Sequence, residues 1–272
     1  MMLILQRSLH LLVLALTFAT SMSAQNTVPA KPATPDPKAE AILKRAIEVL
    51  GGSNYLNVKT VIGRGFFTTF DQGMSQLPAR FLDYIAFPNR ERTEFISSGI
   101  KAIQTNDGET GWLYDGGPKA ITDMKAPQIE SFKQSMRTSV ENVLHGWWRK
   151  EGAVLTYVGR REAGLARRNE TVRLTYPDGF WIEYEFAAKE GLPAKVIYKR
   201  TRTKPDSDET EELTEEDHLA KPITVAGVTS PFVIDHFING TQTSRINYES
   251  IEYNQPLPDS LFLKPTNIKA LK

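Results

Sequence analysis

Apolar and polar positions alternate with two different periods along this chain, and the changes of period mark its elements. Ala39, Ile42, Leu43, Ala46, Ile47 and Leu50 recur at helical spacing on one face, with Lys44, Arg45 and Glu48 on the other. Asp36 supplies an N-cap, Pro37 a first helical residue and Gly51-Gly52 a stop, so an amphipathic helix is predicted here. A second helix is predicted from Gln128 to Leu144. Ile129, Phe132, Met136, Val140, Val143 and Leu144 share one side of it, and Gly146 ends it before Trp147-Trp148.

Elsewhere the period is two. Strands are predicted at 58–70, 80–88, 91–97, 103–106, 111–114, 154–159, 170–176, 180–186, 194–202, 213–220, 231–238 and 243–254. Turn signals separate them at Asp107-Gly108, Asp115-Gly116-Gly117-Pro118, Pro177-Asp178-Gly179, Lys189-Glu190-Gly191 and Ile238-Asn239-Gly240. Short turns imply an antiparallel meander of roughly ten strands. Phe180, Ile182, Tyr184 and Phe186 share a face, while Glu183 and Glu185 point away with Trp181. Val172, Leu174 and Tyr176 share a face, and so do Phe232, Ile234, His236 and Ile238. One apolar face and one wet face follow. A sheet this wide must curl to bury its apolar face, and two helices are too few to cover it flat. The fold class is therefore mainly β with a few helices: a curled antiparallel sheet forming an incomplete β-barrel, with helices across the concave side.

Composition narrows the function. Net charge is +1, which gives no electrostatic footprint for nucleic acid. There is no cysteine, which excludes disulfides, thiolate chemistry and a lipid-modified N-terminal cysteine. Residues 1–24 read as a signal peptide. Arg7 supplies the charge, Leu9 to Phe18 the short apolar run, and Ser21, Ser23 and Ala24 a cleavage site near residues 23–25. That run is too short to span a bilayer, and no later stretch suffices. Residues 25–37 read as a Pro-rich linker, and 38–272 as a single domain. The chain is thus expected in the periplasm, neither lipidated nor membrane-spanning.

Candidate chemistry is sparse. His145, His218 and His236 are not paired with a serine in sequence, and no Gly-x-Ser-x-Gly elbow occurs. His236 alternates with core residues and reads as a half-buried strand residue. No His-Glu-x-x-His motif is present, and the acidic run at 206–217 lacks the ordered ligands of a calcium loop. Set beside Lys195, Lys199, Arg200, Arg202 and Lys204 in a hairpin through Pro205, that run reads as cross-strand ion pairs. Arg160, Arg161, Arg167 and Arg168 flank a turn and suit a solvated loop better than a seat for an anionic headgroup, and Gly63-Arg64-Gly65 reads as a bend or bulge within a strand. No catalytic residue, metal or cofactor is expected. Phe66, Phe70, Phe81, Tyr84, Trp112, Tyr114, Phe180 and Tyr184 are many large rings for one concave face. They suit either a filled core or a cavity open to a hydrophobic guest.

Several segments together resemble the periplasmic lipoprotein-carrier (LolA-like) family, which includes outer-membrane lipoprotein-sorting proteins. They are AILKRAIEVLGG (41–52), YIAFPNRERTEF (84–95), NDGETGWLYDGG (106–117), GVTSPFVIDHFING (227–240) and INYESIEYNQPLPDSLFLKP (246–265). The resemblance covers residues from about 38 to 265. It implies a LolA-like half-barrel whose hydrophobic cavity carries a lipid or the acyl chain of a lipoprotein. On that reading Phe66, Phe81, Tyr84, Trp112, Tyr114, Phe180 and Tyr184 line the cavity, and Arg90 and Arg92 form its rim. One departure stands out: carriers of this family place a basic residue before the proline of the second strand, where this chain has Phe87 before Pro88. The alternative use of the same fold is an envelope sensor or scaffold that binds a protein partner.

Overall fold

The structure is a computed structural model and describes residues 36–204 and 208–271. The expected signal peptide, its cleavage site and most of the linker lie outside the described residues. Helix α1 (Pro37–Leu50) and the single turn α2 (Ser53–Leu56) lead into β1 (Thr60–Asp71), onto which β2 (Met74–Ser75) folds back. A first meander follows through β3 (Ala79–Ala86), β4 (Arg90–Ser97), β5 (Ile100–Asn106), β6 (Gly111–Asp115) and β7 (Ala120–Asp123). Helices α3 (Ala126–Thr138) and α4 (Val140–His145), with a 3-10 turn at Trp147–Glu151, then carry the chain to the far edge of the sheet. A second meander returns through β8 (Val154–Glu162), β9 (Arg168–Thr175), β10 (Trp181–Ala187), β11 (Pro193–Thr203), β12 (Thr210–Val225), β13 (Val228–Ile238) and β14 (Thr241–Tyr253).

β14 pairs with β1, so the two meanders join at the middle in the order β7-β6-β5-β4-β3-β1-β14-β13-β12-β11-β10-β9-β8. Every pairing is antiparallel. β7 and β8 are the two edges of an open sheet. The expected meander is present, with more strands than the roughly ten predicted. The short β2 and β7 carry too little alternation to announce themselves in sequence.

The first helix starts and stops where its caps require. Asp36 Oδ1 accepts from the N–H groups of Lys38 at 2.9 Å and Ala39 at 3.3 Å. Its other oxygen accepts from the Tyr157 N–H at 2.8 Å, which ties α1 to the edge strand β8. The apolar stripe Ala39, Leu43, Ala46 and Leu50 is buried together with Val143, Leu144 and Trp148. These side chains pack against Val172 and Leu174 of β9, Ile182, Tyr184 and Phe186 of β10, and Val196 and Tyr198 of β11. The helices therefore cover one face of the second meander.

Two expectations are corrected. The predicted helix 128–144 is two helices, because Ser139 is extended and its Oγ accepts from the Asn142 N–H at 3.1 Å, restarting the helix as an N-cap. The face bearing Glu183 and Glu185 is not wet in β10, where the two are 3% and 4% exposed. Arg161 and Arg173 reach Glu183 at 2.6 and 2.5 Å, and Asn169 donates to Glu185 at 2.8 Å. Arginine stems cover these carboxylates while their heads pair with them. The basic and acidic strands β11 and β12 form the expected cross-strand pairs, among them Lys195–Glu216, Arg200–Glu215 and Arg202–Glu211. Pro205 lies outside the described residues.

The β1–β14 seam carries a bulge opposite Arg64 and Gly65. A Cβ on Gly65 would lie 1.9 Å from the Asn247 carbonyl oxygen, a backbone atom that cannot rotate away. Gly65→Ala is expected to destabilise the protein by about 3 kcal/mol, the upper end for overpacking. Urea denaturation measures this, and an unchanged midpoint would contradict the packing described for the seam.

Candidate functional site

Directly opposed residues share a face, so the ladder registers sort the central strands into two surfaces. Phe67 opposes Ile246, Gly65 opposes both Phe81 and Tyr248, Phe81 opposes Phe95, and Ile246 opposes Ile234. These residues share the helix-bearing face, here the inner face. Their rings meet across strands: Phe67 and Phe95 at 5.7 Å between centroids, Phe81 and Tyr248 at 5.4 Å, Phe232 and Tyr248 at 6.3 Å. Gly63 and Gly65 leave the notch that Tyr248 occupies; a Cβ on Gly63 would lie 2.6 Å from its ring. Phe67, Phe95, Ile234 and Ile246 are half-buried and lie outside the helix-packed core. The result is an apolar trough across β4, β3, β1, β14 and β13.

The aromatic residues predicted to line one cavity are not brought together. Phe81 lies in the trough. Tyr184 is 1% exposed within the helix-packed core, where its hydroxyl donates to the Arg137 or Ser139 carbonyl at 3.1 and 3.3 Å. Phe180 lines a separate cleft of about 1030 Å³ beneath α3, with Phe132, Met136 and Trp147. Phe66, Tyr84, Trp112 and Tyr114 fall on the opposite, outer face: Phe66 opposes Arg80, Tyr84 opposes Arg92, and Arg92 opposes Thr105, which opposes Trp112. Period-two alternation fixes which residues of one strand share a face. It does not fix which face of one strand continues onto the next.

The outer face has its own cover. After β14 the chain runs back over the first meander as a strap. Trp112 Nε1 donates to the Phe262 carbonyl at 3.1 Å, and Leu271 packs with Trp112 and Ile103. Arg90 pairs with Asp259 at 2.6 Å and lies over the Phe262 ring. Arg92, buried over the Trp112 ring, donates to the Leu261 carbonyl at 3.0 Å and to Glu94. Arg90 and Arg92 thus hold the strap on the outer face, away from the trough.

Titratable groups divide the same way. His236 Nδ1 meets Asp217 at 2.7 Å, and its Nε2 lies 3.6 Å from Glu215. Burial alone would lower the His236 pKa; the Asp217 hydrogen bond and the charges of Asp217 and Glu215 outweigh burial and nearby Arg200, and raise it. His218 meets Glu216 at 2.8 Å, and His145 stacks on Trp147 and is pushed down by burial. Among the described residues no serine is paired with these imidazoles, and no group of His, Asp and Glu is placed to hold a metal. None of the described helices is long and apolar enough to cross a membrane. Of the arginines expected in a loop, Arg160 and Arg161 lie in β8 and Arg168 in β9, because the hairpin turn is shorter than the arginine run; Arg160 pairs with Glu170 and Arg168 with Glu162, beside an open groove of about 1230 Å³ at that end of the sheet. On the inner face, Asp83, Glu91 and Glu141 are all raised, first of all by burial. None of the trough residues Phe67, Phe95, Ile234 and Ile246, nor these acids, was singled out as a site from sequence; the bulge-forming Gly63-Arg64-Gly65 was the available signal.

No family model matches the chain, and no curated protein does. Solved structures match its fold. A DUF1329 family protein from Desulfovibrio piger aligns with a TM-score of 0.57 at 12% identity, over 87% of this chain and 100% of that one. A LolA superfamily protein from Nitrosomonas europaea aligns with a TM-score of 0.54 at 13% identity, over 83% and 97%. A putative outer membrane lipoprotein-sorting protein domain from Vibrio parahaemolyticus aligns with a TM-score of 0.52 at 10% identity, over 82% and 97%. At these identities the likeness is one of fold.

Two outcomes follow from this placement. Trp112→Ala is expected to cost about 3–5 kcal/mol of stability, as for a large buried ring; a loss near zero would mean that the strap does not bury it. For His236, a folded pKa above the unfolded value of about 6.5 gives stabilisation that is complete below that pH and lost as pH rises through the folded value. The urea midpoint of the unmodified protein should therefore fall more than that of His236→Gln between about pH 6 and 8. Parallel profiles would contradict the assignment.

Proposed function

We propose that this chain is a non-enzymatic periplasmic binding protein that carries a lipid, or the acyl chain of a lipoprotein, along the inner face of its sheet. The observation that carries the reading is the trough: half-buried Phe67, Phe95, Ile234 and Ile246 form an apolar strip beyond the helix-packed core. In this reading the open sheet is the wall of an incomplete barrel over residues 38–272, with the helices across its concave side. Phe81 is the ligand-facing member of the aromatic set, and Phe180 lines the separate cleft beneath α3. Tyr184 holds the helices, while Phe66, Tyr84, Trp112, Tyr114, Arg90 and Arg92 serve the outer face. The likeness in fold to a putative lipoprotein-sorting domain and the predicted signal peptide support the same assignment.

Burial of methylenes suffices energetically. At ~0.8 kcal/mol per methylene, a 16-carbon chain offers roughly 12 kcal/mol gross. Ordering and association costs remove several of these, leaving micromolar or tighter binding without a single hydrogen bond. Phe87 sits where carriers of the resembled family have a basic residue, and its ring packs near His145 and Trp147 at 6.2 and 5.6 Å. Transfer is accordingly proposed without the basic gate.

Native mass spectrometry and lipid extraction test this on protein purified from a periplasm without detergent. The expected result is a stoichiometric lipid or acyl chain, lost in Phe95→Glu and retained in Tyr84→Glu, with both variants folded by circular dichroism. A protein that is free of lipid and also fails to take up a fluorescent fatty acid would overturn the reading and favour an envelope scaffold that binds a protein partner.

A further inference from the structure

The β3 row of the inner face reads Phe81, Asp83, Ile85, so a carboxylate stands inside an apolar strip. Asp83 is 8% exposed and opposes Gly63 on one side and Thr93 on the other. Thr93 Oγ1 lies 2.9 Å from Asp83 and 3.2 Å from Glu91. A hydroxyl has one proton, so it serves only one of these acids at a time. Tyr248, seated over Gly63, makes no side-chain hydrogen bond among the described residues. Glu141, in the first turn of α4, has no hydrogen bond to another described residue. Tyr55 adds the independent sign: it is 6% exposed, and its hydroxyl is buried without a partner.

Asp83, Glu91 and Tyr248 meet around Gly63 and Thr93, and the Tyr55 ring lies 5.3 Å from that of His145 at the end of α4, the helix that bears Glu141. Tyr248 feels the charges of Asp83, Glu91 and Glu141, and Tyr55 feels that of Glu141. Among the described residues no lysine or arginine balances the acids, and the neighbouring imidazole, His145, is held toward its neutral form by burial. A buried Asp83 and half-buried Glu91 and Glu141 without a counter-charge among the described residues, beside a buried Tyr55 hydroxyl without a partner, ask for a ligand that is both a cation and a hydrogen-bond donor. Aromatic faces favour the same ligand. An inorganic ion does not fit, because the described acids are not placed to coordinate one together.

We propose that Asp83, Glu91 and Glu141, with the hydroxyls of Tyr55 and Tyr248, seat the ammonium head of an amphiphile whose tail lies along the adjoining trough. This rests on the lipid-binding reading above and gives it a headgroup class. Phe81 lies two residues along the same face from Asp83 and leads to Phe95, so head and tail sites are contiguous.

Isothermal titration calorimetry of the full protein from the periplasm at pH 7 tests it with three 12-carbon probes: dodecylamine, dodecanol and dodecanoate. Dodecylamine is expected to bind at least about tenfold more tightly than either of the others, a single charge pair's worth of discrimination. Its binding should also release protons, seen as a heat that depends on the buffer. In Asp83→Asn/Glu141→Gln, which preserves shape, the three affinities should converge through loss on the amine alone. Equal affinities in the unmodified protein, or a preference that survives in the double variant, would overturn the headgroup assignment and leave the lipid-binding reading intact. Failure of all three probes to bind would remove both.

Discussion

The pairing of β1 with β14 is the constraint on which the rest of the structure depends. It is the seam between two meanders, each of which zips locally through short turns. Only this pairing decides which face of the first meander continues the helix-bearing face of the second. Side chains alternate, so a slip of one residue would send Phe67 outward and Phe66 inward, together with every paired row beyond. The bulge beside Gly65 and the close approach of that glycine to the Asn247 carbonyl pin the register. The notch over Gly63 then gives Tyr248 its place beside Asp83.

From the seam outward, the sheet's surfaces are covered unevenly. The inner face of β9 to β11 is filled by α1, α4 and Trp148. The outer face of the first meander is closed by the strap, through Arg90, Arg92, Trp112 and Leu271. The outer face of β9 and β10 is sealed by arginines lying over Glu183 and Glu185. Among the described residues, Phe67, Phe95, Ile234 and Ile246 of the central inner face lie outside all of these covers. A strip of phenylalanine and isoleucine at the middle of a sheet is costly to leave to water, and a guest that buries it recovers the hydrophobic term.

Much of the fold was legible in the sequence, because its signals are local. Asp36-Pro37 and Gly51-Gly52 delimit α1, the turn dipeptides separate the strands, and opposed charge aligns β11 with β12. The break at Ser139 was not legible, since the apolar period of the second helix runs through it unbroken. The site was less legible than the fold. Trp112 and Tyr114 share a face as expected, yet that face belongs to the strap. Strand alternation says nothing about a partner distant in sequence, and Phe262 and Leu271 reach Trp112 from the other end of the chain. Phe95 and Ile246 looked unremarkable for the same reason: what distinguishes them is that they lie outside the helix-packed core.

The most direct test of the account is photo-crosslinking with a palmitate analogue bearing a diazirine on its chain, followed by peptide mapping. The account predicts adducts on the inner-face residues of β1, β4, β13 and β14, at or beside Phe67, Phe95, Ile234 and Ile246. Adducts concentrated on Phe66, Tyr84 or the strap, or none above background, would contradict it.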